Sequence, residues 1–202
     1  MHTRQSKRKR PNLDTAYEWL KDGWFSVSPT EHYQSDRGRE SEIKRTTEEI
    51  LNVSRQFPST RNLEYAVLKG HLIVEHVVTQ YIRCNSRVVV GLDDIRLSFS
   101  QKLDIAYLMG LGVDDPVLLP GIQLLNKARN QVAHSFCLNR DIVDELIRIF
   151  GDPEDPFLVE NDKHRVSGLR KICRWICGYT AGRIEGEYYA MKFKEEEKSE
   201  PK

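Results

Sequence analysis

The chain has 202 residues, of which 39% are apolar and 30% are charged. It contains only 12 glycines, 8 prolines and 4 cysteines, which excludes collagen-like, low-complexity and disulfide-scaffold proteins. The 31 Lys and Arg residues are balanced by 30 Asp and Glu residues, so the chain as a whole lacks the basic field with which many proteins attract nucleic acid.

The first thirteen residues form a basic arm. Five cations lie in it without an acidic neighbour: Arg4, Lys7, Arg8, Lys9 and Arg10. Because this segment is too polar to bury the apolar surface that folding requires, residues 1–13 are predicted to be disordered. The arm is either a solvated tail or an aid to RNA binding through phosphate contacts, which are blind to sequence. Residues 14–38 are predicted to form a short N-terminal element packed on the main body.

Apolar residues at steps of three and four predict helices over residues 39–192. The first covers residues 40–56 and ends before Pro58, because the residue that precedes a proline is pushed out of the helical region. The second is a long core helix that starts at Leu63 and continues through Cys84. The third is capped by Ser98 or Ser100.

The later helices have clear sequence boundaries. Gly110 and Gly112 end the third helix, because glycine accepts the left-handed conformation of a helix end. Asp114 or Asp115 then starts a helix to about residue 136, and Pro120 within it predicts a kink or a split. Two more helices cover residues 141–150 and 164–191, and the charged tail 193–202 is predicted to be disordered.

This pattern predicts an all-α, single-domain bundle of five or six helices with frayed termini. The core is expected to centre on three consecutive helices, through Leu63, Val67, Val74, Val77, Leu103, Tyr107, Leu125 and Val132.

The cysteines are scattered and no secretory signal is recognisable near the start, which indicates unpaired thiols and a cytoplasmic protein. The apolar runs are far shorter than the roughly 18 residues that span a membrane. Cys173 and Cys177 lie four residues apart and, with His164, resemble a partial set of soft-metal ligands. Structural zinc sites draw on two such pairs, so we expect core thiols, with no metal and no cofactor.

The segment 126–134 groups a cation, an amide and an imidazole near the end of the fourth long helix. Arg129, Asn130 and His134 are residue types that bind a phosphodiester and move its protons, and Lys127 adds positive charge beside them. The segment is therefore the strongest candidate for chemistry in the chain.

The helical phases of the two key residues differ. At about 100° per residue, Arg129 falls about 40° from Leu125, inside the apolar stripe, whereas His134 falls about 180° from it. An arginine on an apolar stripe needs a carboxylate or an interface. Either a local distortion of the helix or a second copy of it across a two-fold axis would bring Arg129 and His134 together.

Arg129 and Asn130, followed by His134 after three more residues, resemble the R-x4-6-H motif of the HEPN superfamily. The all-helical layout over roughly residues 40–190, with the motif near the end of a later helix, is similar to the same family. The stretch 102–112 together with the motif helix is also similar, more weakly, to the mannitol operon repressor branch of helical proteins.

The HEPN resemblance implies a metal-independent endoribonuclease, often a toxin or phage-defence effector, with a composite site at a homodimer interface. On this chain, His134 would transfer a proton at the ribose 2′-hydroxyl or the leaving oxygen. Arg129 would stabilise charge in the transition state, and Asn130 would orient one of them. RNA would be the substrate, and an antitoxin or another protein the partner.

Other interpretations stay open at this point. Other HEPN-like modules are catalytically silent and bind partners, and a regulator that uses the basic arm on DNA is a third, weaker alternative. His71 and Glu75, four residues apart on the second helix, are a further candidate polar pair in a cleft, although surface or satisfied core roles are the simpler interpretation.

Overall fold

The computed structural model describes residues 36–86, 96–135, 137–151 and 159–199, with side chains from residue 38 to residue 193. These ranges contain no strand, and the predicted all-α bundle is confirmed. The six helices are α1 (Asp36–Ser54), α2 (Leu63–Asn85), α3 (Phe99–Leu108), α4 (Leu118–Ser135), α5 (Arg140–Phe150) and α6 (Asp162–Ser199). The predicted basic arm and almost all of the predicted N-terminal element lie outside the described residues.

The chain divides into two compact units, Met1–Ser41 and Glu42–Lys202. Of the first unit the structure describes only residues 36–41, which are helical. The second unit contains the helical bundle and the candidate site.

Helix α2 is the central element of the bundle. It packs against α3, α4 and α6, and eleven of its 23 residues are buried. Its start is fixed by Asn62, whose side chain accepts a hydrogen bond of 2.8 Å from the Tyr65 amide. Helix α5 in turn packs against both α4 and α6.

Six of the eight predicted core residues are buried, and two differ. Tyr107 is 45% exposed, so its assignment to the core is wrong. The buried face of the short helix α3 consists of Phe99, Leu103 and Ala106, and Tyr107 lies about 80° from Phe99 around the helix, at the edge of that face. Val132 is only partly buried and packs against the core near the end of α4.

The ends of α3 follow the predicted rules. Ser98 caps the helix in a capping box with Gln101. At the other end, Gly110 has a φ of +106°, and its amide donates to the Tyr107 carbonyl at 2.9 Å. The Leu111 amide donates to the Ala106 carbonyl at 2.9 Å, which completes a Schellman motif.

Helix α4 begins later than predicted and is not kinked. The Asp115 carboxylate accepts from the Val117 amide at 2.9 Å and from the Leu118 amide at 3.2 Å, so it caps the helix. Pro120 is the third helical residue, where a backbone amide has no partner within the helix in any case. The predicted kink or split at Pro120 is therefore wrong, and α4 is continuous from Leu118 to Ser135.

A polar network ties the turn between α3 and α4 to α6. The Tyr81 hydroxyl lies 3.0 Å from the Met109 carbonyl oxygen and 2.9 Å from Glu187 Oε1. Arg183 Nη2 donates to Glu187 Oε1 at 2.7 Å and to the Gly110 carbonyl at 3.3 Å. Burial, with Glu187 alongside, raises the pKa of Tyr81 above its usual value.

Helix α6 continues to Ser199, whereas its end was predicted near Met191 and a disordered tail was predicted from residue 193. The final residues are mostly Lys and Glu, which are good helix formers, so a helix that already exists extends through them at little cost. Among the helices that the structure describes, α6 included, none is long and apolar enough to cross a bilayer.

Two cysteines belong to the core that α6 shares with α2. Cys173 and Cys177 are both fully buried, and a Cβ added to Gly70 would lie 3.1 Å from Cys173 Sγ. Burial raises the pKa of both thiols, that of Cys177 to about 12. Of the remaining thiols, Cys84 is partly buried and Cys137 is exposed.

Gly121→Ala should lower the free energy of unfolding by about 1–3 kcal/mol, the usual cost of overpacking a core. A Cβ at this position would overlap Cε2 of Phe150, whose ring is held edge-on against Trp175. The matched control is Gly182→Ala in α6, where, apart from its chain neighbours and its own helix backbone, no heavy atom of the described residues would lie within 4 Å of an added Cβ, and where alanine should stabilise the helix by about 0.5–1 kcal/mol. Urea unfolding of both variants checks the pair, and equal effects would contradict the close packing of α4 on α5.

Candidate active site

The polar segment 126–134 lies along an open depression of about 560 Å³ on α4. The described residues that line the depression are Gln123, Asn126, Lys127, Asn130, Gln131, His134 and Ser135. None of these is acidic, although the chain carries 30 Asp and Glu residues. An anion that enters the depression therefore meets amide, hydroxyl, imidazole and ammonium groups and no like charge among these residues.

Three of the lining side chains are available to a ligand. Gln123, Lys127 and His134 are exposed, and their side chains make no hydrogen bond or ion pair with the described part of the chain. The spacing of 123, 127 and 134 places all three within about 40° of one another around α4. His134 is thus in a position to meet a substrate, but nothing in the described residues fixes its ring.

Arg129 and Asn130 are directly connected. Arg129 is partly buried, and its Nη1 donates to Asn130 Oδ1 at 2.9 Å. Within the described ranges the guanidinium has no carboxylate partner. Arg129 itself does not line the depression, but Asn130 does, so Asn130 links the arginine to the surface that carries His134.

The continuous helix keeps Arg129 and His134 apart in phase. Because α4 runs without a break to Ser135, no distortion turns the two side chains toward each other. Of the two arrangements that the sequence left open, the local distortion of α4 is therefore absent from the structure.

His71 is a core residue and not an open partner of Glu75. It is 1% exposed, and its Nδ1 lies 3.9 Å from Glu75 Oε2, which is too long for a hydrogen bond. Its Nε2 lies 3.1 Å from Asn126 Oδ1, and its ring packs edge-on against Phe99 at 4.5 Å between centroids. Glu75 instead pairs with Lys102, whose Nζ lies 2.9 Å from Glu75 Oε1.

This cluster joins α2 and α3 to the depression through Asn126. Besides the contact with His71, Asn126 Nδ2 lies 3.5 Å from Ser100 Oγ. Asn126 begins the predicted segment 126–134 but had no predicted role, and Lys102 and Ser100 were not predicted as site residues. His71 and Asn126 are 55 positions apart, and only the packing of α4 on α2 brings them together, so no local spacing signal indicates the contact.

The remaining predicted site residues are placed as follows. The cations of the basic arm, Arg4 to Arg10, lie outside the described residues, and Lys127 is exposed in the depression. Cys173 and Cys177 are packed in the core. In the part of the chain that the structure describes, no three His, Cys, Asp or Glu side chains form a group that could hold a metal ion.

No protein-family model, curated protein or solved structure matches this chain. The likeness to HEPN proteins therefore rests on the motif 129–134 and on the helical layout.

The buried His71 should make the stability of the fold depend on pH. Burial lowers the pKa of His71 below its ordinary value of 6.5, the nearby Arg129 charge acts in the same direction, and Glu75 and Asn126 only partly oppose them. The unfolded chain therefore binds a proton more readily than the folded chain, so stability present above about pH 6.5 is lost as the pH falls toward the folded pKa.

His71→Gln removes this titration while keeping a side-chain donor. Its free energy of unfolding should fall less than that of the wild type between about pH 7.5 and about pH 5, measured by urea unfolding at several pH values. Subtracting the free energies of unfolding of the two proteins at each pH removes the contribution of the histidines that both contain. Parallel pH curves would contradict the assignment of a neutral, buried His71.

Proposed function

We propose that this chain is a metal-independent endoribonuclease of the HEPN type whose active site is completed in a homodimer. The observation that supports the proposal is the depression on α4, where the exposed His134 and Asn130 meet Lys127 and no carboxylate. RNA supplies both groups that such a site suits: a phosphodiester anion and a 2′-hydroxyl whose proton an imidazole removes.

In the proposed reaction, His134 accepts the proton of the 2′-hydroxyl while the 2′-oxygen attacks the adjacent phosphorus atom. The bond from phosphorus to the 5′-oxygen breaks, and this oxygen takes up a proton from water or from the imidazolium of a second His134. The products are a 2′,3′-cyclic phosphate and a 5′-hydroxyl. The Arg129 guanidinium stabilises the charge that builds on the non-bridging oxygens, and Asn130 holds Arg129 through their hydrogen bond.

The position of Arg129 supports the proposed dimer. The guanidinium is partly buried, has no carboxylate partner in the described ranges, and is out of phase with His134 on a continuous helix. A second copy of α4 across a two-fold axis would place Arg129 of one protomer near His134 of the other. On the basis of the HEPN likeness, the proposal includes a role as a cytoplasmic toxin or phage-defence effector, with an antitoxin as partner.

One observation favours a second candidate, a catalytically silent HEPN-like dimeric interaction module. The imidazole of His134 accepts and donates no hydrogen bond within the described residues, whereas an effective general base is commonly held by a second group. In this alternative, the depression binds a partner and no bond is cleaved.

His134→Ala should reduce cleavage of mixed-sequence single-stranded RNA by about 10²- to 10⁴-fold, because a positioned acid or base contributes a factor of that size. The reaction is run in EDTA and followed by gel electrophoresis of end-labelled RNA, with the 2′-deoxy analogue as an uncleavable control. The matched control His76→Ala removes a partly exposed histidine that lies 3.0 Å from Glu49 on another part of the bundle, and it should retain activity. Cleavage by neither wild type nor variant would favour the interaction module.

Mixing the two inactive proteins His134→Ala and Arg129→Ala should restore part of the activity. Heterodimers contain one composite site with an intact Arg129 and an intact His134, so at equal concentrations we expect up to about a quarter of the wild-type rate, since half of the dimers are mixed and each has one of two sites. Each variant alone supplies the baseline. If the mixture stays inactive although the subunits exchange, the composite site is wrong and Arg129 and His134 act within one chain.

A further inference from the structure

We propose that Asn126 is a fourth site residue, which donates a hydrogen bond from Nδ2 to the RNA backbone, and that the buried His71 is the positioning residue that aims it. The inference rests on the proposed function only in naming RNA as the ligand. It adds a contact on α4 that lies outside the motif 129–134.

First, a hydrogen bond from His71 fixes the orientation of the Asn126 side-chain amide. His71 Nε2 lies 3.1 Å from Asn126 Oδ1, whereas its Nδ1 has no hydrogen-bond partner, with Glu75 Oε2 at 3.9 Å. A neutral imidazole has one N–H, so that proton is on Nε2, the nitrogen with an acceptor in reach. His71 therefore donates to Oδ1, which turns the Nδ2 end of the amide away from the core.

The second step is the unused donor. An amide nitrogen carries two N–H groups, and Ser100 Oγ at 3.5 Å takes at most one of them. Asn126 also lines the depression in which Asn130 and His134 lie. Its second N–H has no acceptor among the described residues, so it is free to serve a ligand there.

The third step is the chemistry of that ligand. The lining residues offer donors, carry the positive charge of Lys127 and include no Phe, Tyr or Trp on which a base would stack. A non-bridging phosphate oxygen fits an N–H donor in such surroundings better than a base edge does. Asn126 precedes His134 by eight residues, about 12 Å along the helix axis, so it would contact a different phosphate from the one that is cleaved.

The charges around His71 maintain this arrangement. Lys102 on α3 pairs with Glu75, so this carboxylate is already compensated, and the charge of Arg129 on α4 opposes protonation of His71. A neutral His71 keeps a single proton for Asn126. A substitution of His71 is therefore expected to act on RNA binding through Asn126.

The test measures RNA binding apart from cleavage. The dissociation constant of a fluorescein-labelled, mixed-sequence single-stranded RNA is measured by anisotropy in EDTA, with all variants made in the full chain carrying His134→Ala. Asn126→Ala should weaken binding about 10- to 100-fold, the loss expected for a hydrogen bond to a charged group. Asn126→Asp should weaken it further, since a carboxylate then faces the phosphate. The control Gln56→Ala removes an exposed amide in the turn just after α1 and should leave the dissociation constant unchanged.

The positioning role is tested by a double-mutant cycle. His71→Leu should weaken RNA binding, His71→Gln should restore it because its amide also donates, and His71→Leu should add little in a chain that already carries Asn126→Ala. If His71 only contributed to packing, His71→Leu would lower the melting temperature, and its effect on RNA binding would be the same with or without Asn126→Ala. Additive effects of the two substitutions would overturn the positioning role.

The outcomes separate this inference from the nuclease proposal. If the protein with His134 intact cleaves RNA and Asn126→Ala neither weakens binding nor raises KM, the Asn126 contact is wrong and the nuclease stands. If no RNA is cleaved but binding depends on Asn126, the contact stands and the nuclease is wrong. If the chain binds no RNA, both are wrong.

Discussion

Helix α2 has to be covered on several sides at once, and this constraint places the rest of the bundle. Eleven of its 23 residues are buried, so no single neighbour can shield it from water. Helices α3, α4 and α6 each cover part of it. Asn126 lies at the edge between two faces of α4: it contacts His71 on the side that packs on α2, and it also lines the depression with His134. The candidate site is thus the outer side of a helix whose inner side is fixed by core packing.

The electrostatics around Arg129 are unusual for a partly buried arginine. Its one side-chain partner in the described ranges is Asn130, which is neutral, and the nearby His71 is held neutral by burial. Glu75, the acidic residue of the cluster around His71, is already paired with Lys102. A positive charge removed from water without a counter-charge is costly, so the guanidinium gains free energy from any anion that reaches it. The negative charge of a phosphodiester would neutralise the Arg129 guanidinium, which has no carboxylate partner in the described ranges.

The features that depend on local chain chemistry could be predicted from the sequence. Ser98 caps α3 and Gly110 ends it, because capping oxygens and positive φ angles are properties of single residues. The phases of α2 and α4 were also predictable, since a 3.6-residue period fixes which side is apolar. Tyr107 was misassigned, because its exposure depends on how much of a ten-residue helix its neighbours cover. The contact between His71 and Asn126 joins two helices, and no spacing along the chain encodes it.

Because some thiols are exposed and others are buried, their rates of alkylation report on local unfolding of the chain. Cys137 is exposed, so an alkylating reagent reaches it in the folded protein. Cys173 faces Gly70 so closely that even a methyl group there would lie 3.1 Å from its sulfur, and its modification requires α2 and α6 to separate. In one sample, the rate of alkylation at Cys137 thus measures surface accessibility, and the slower rate at Cys173 measures how often α2 and α6 separate.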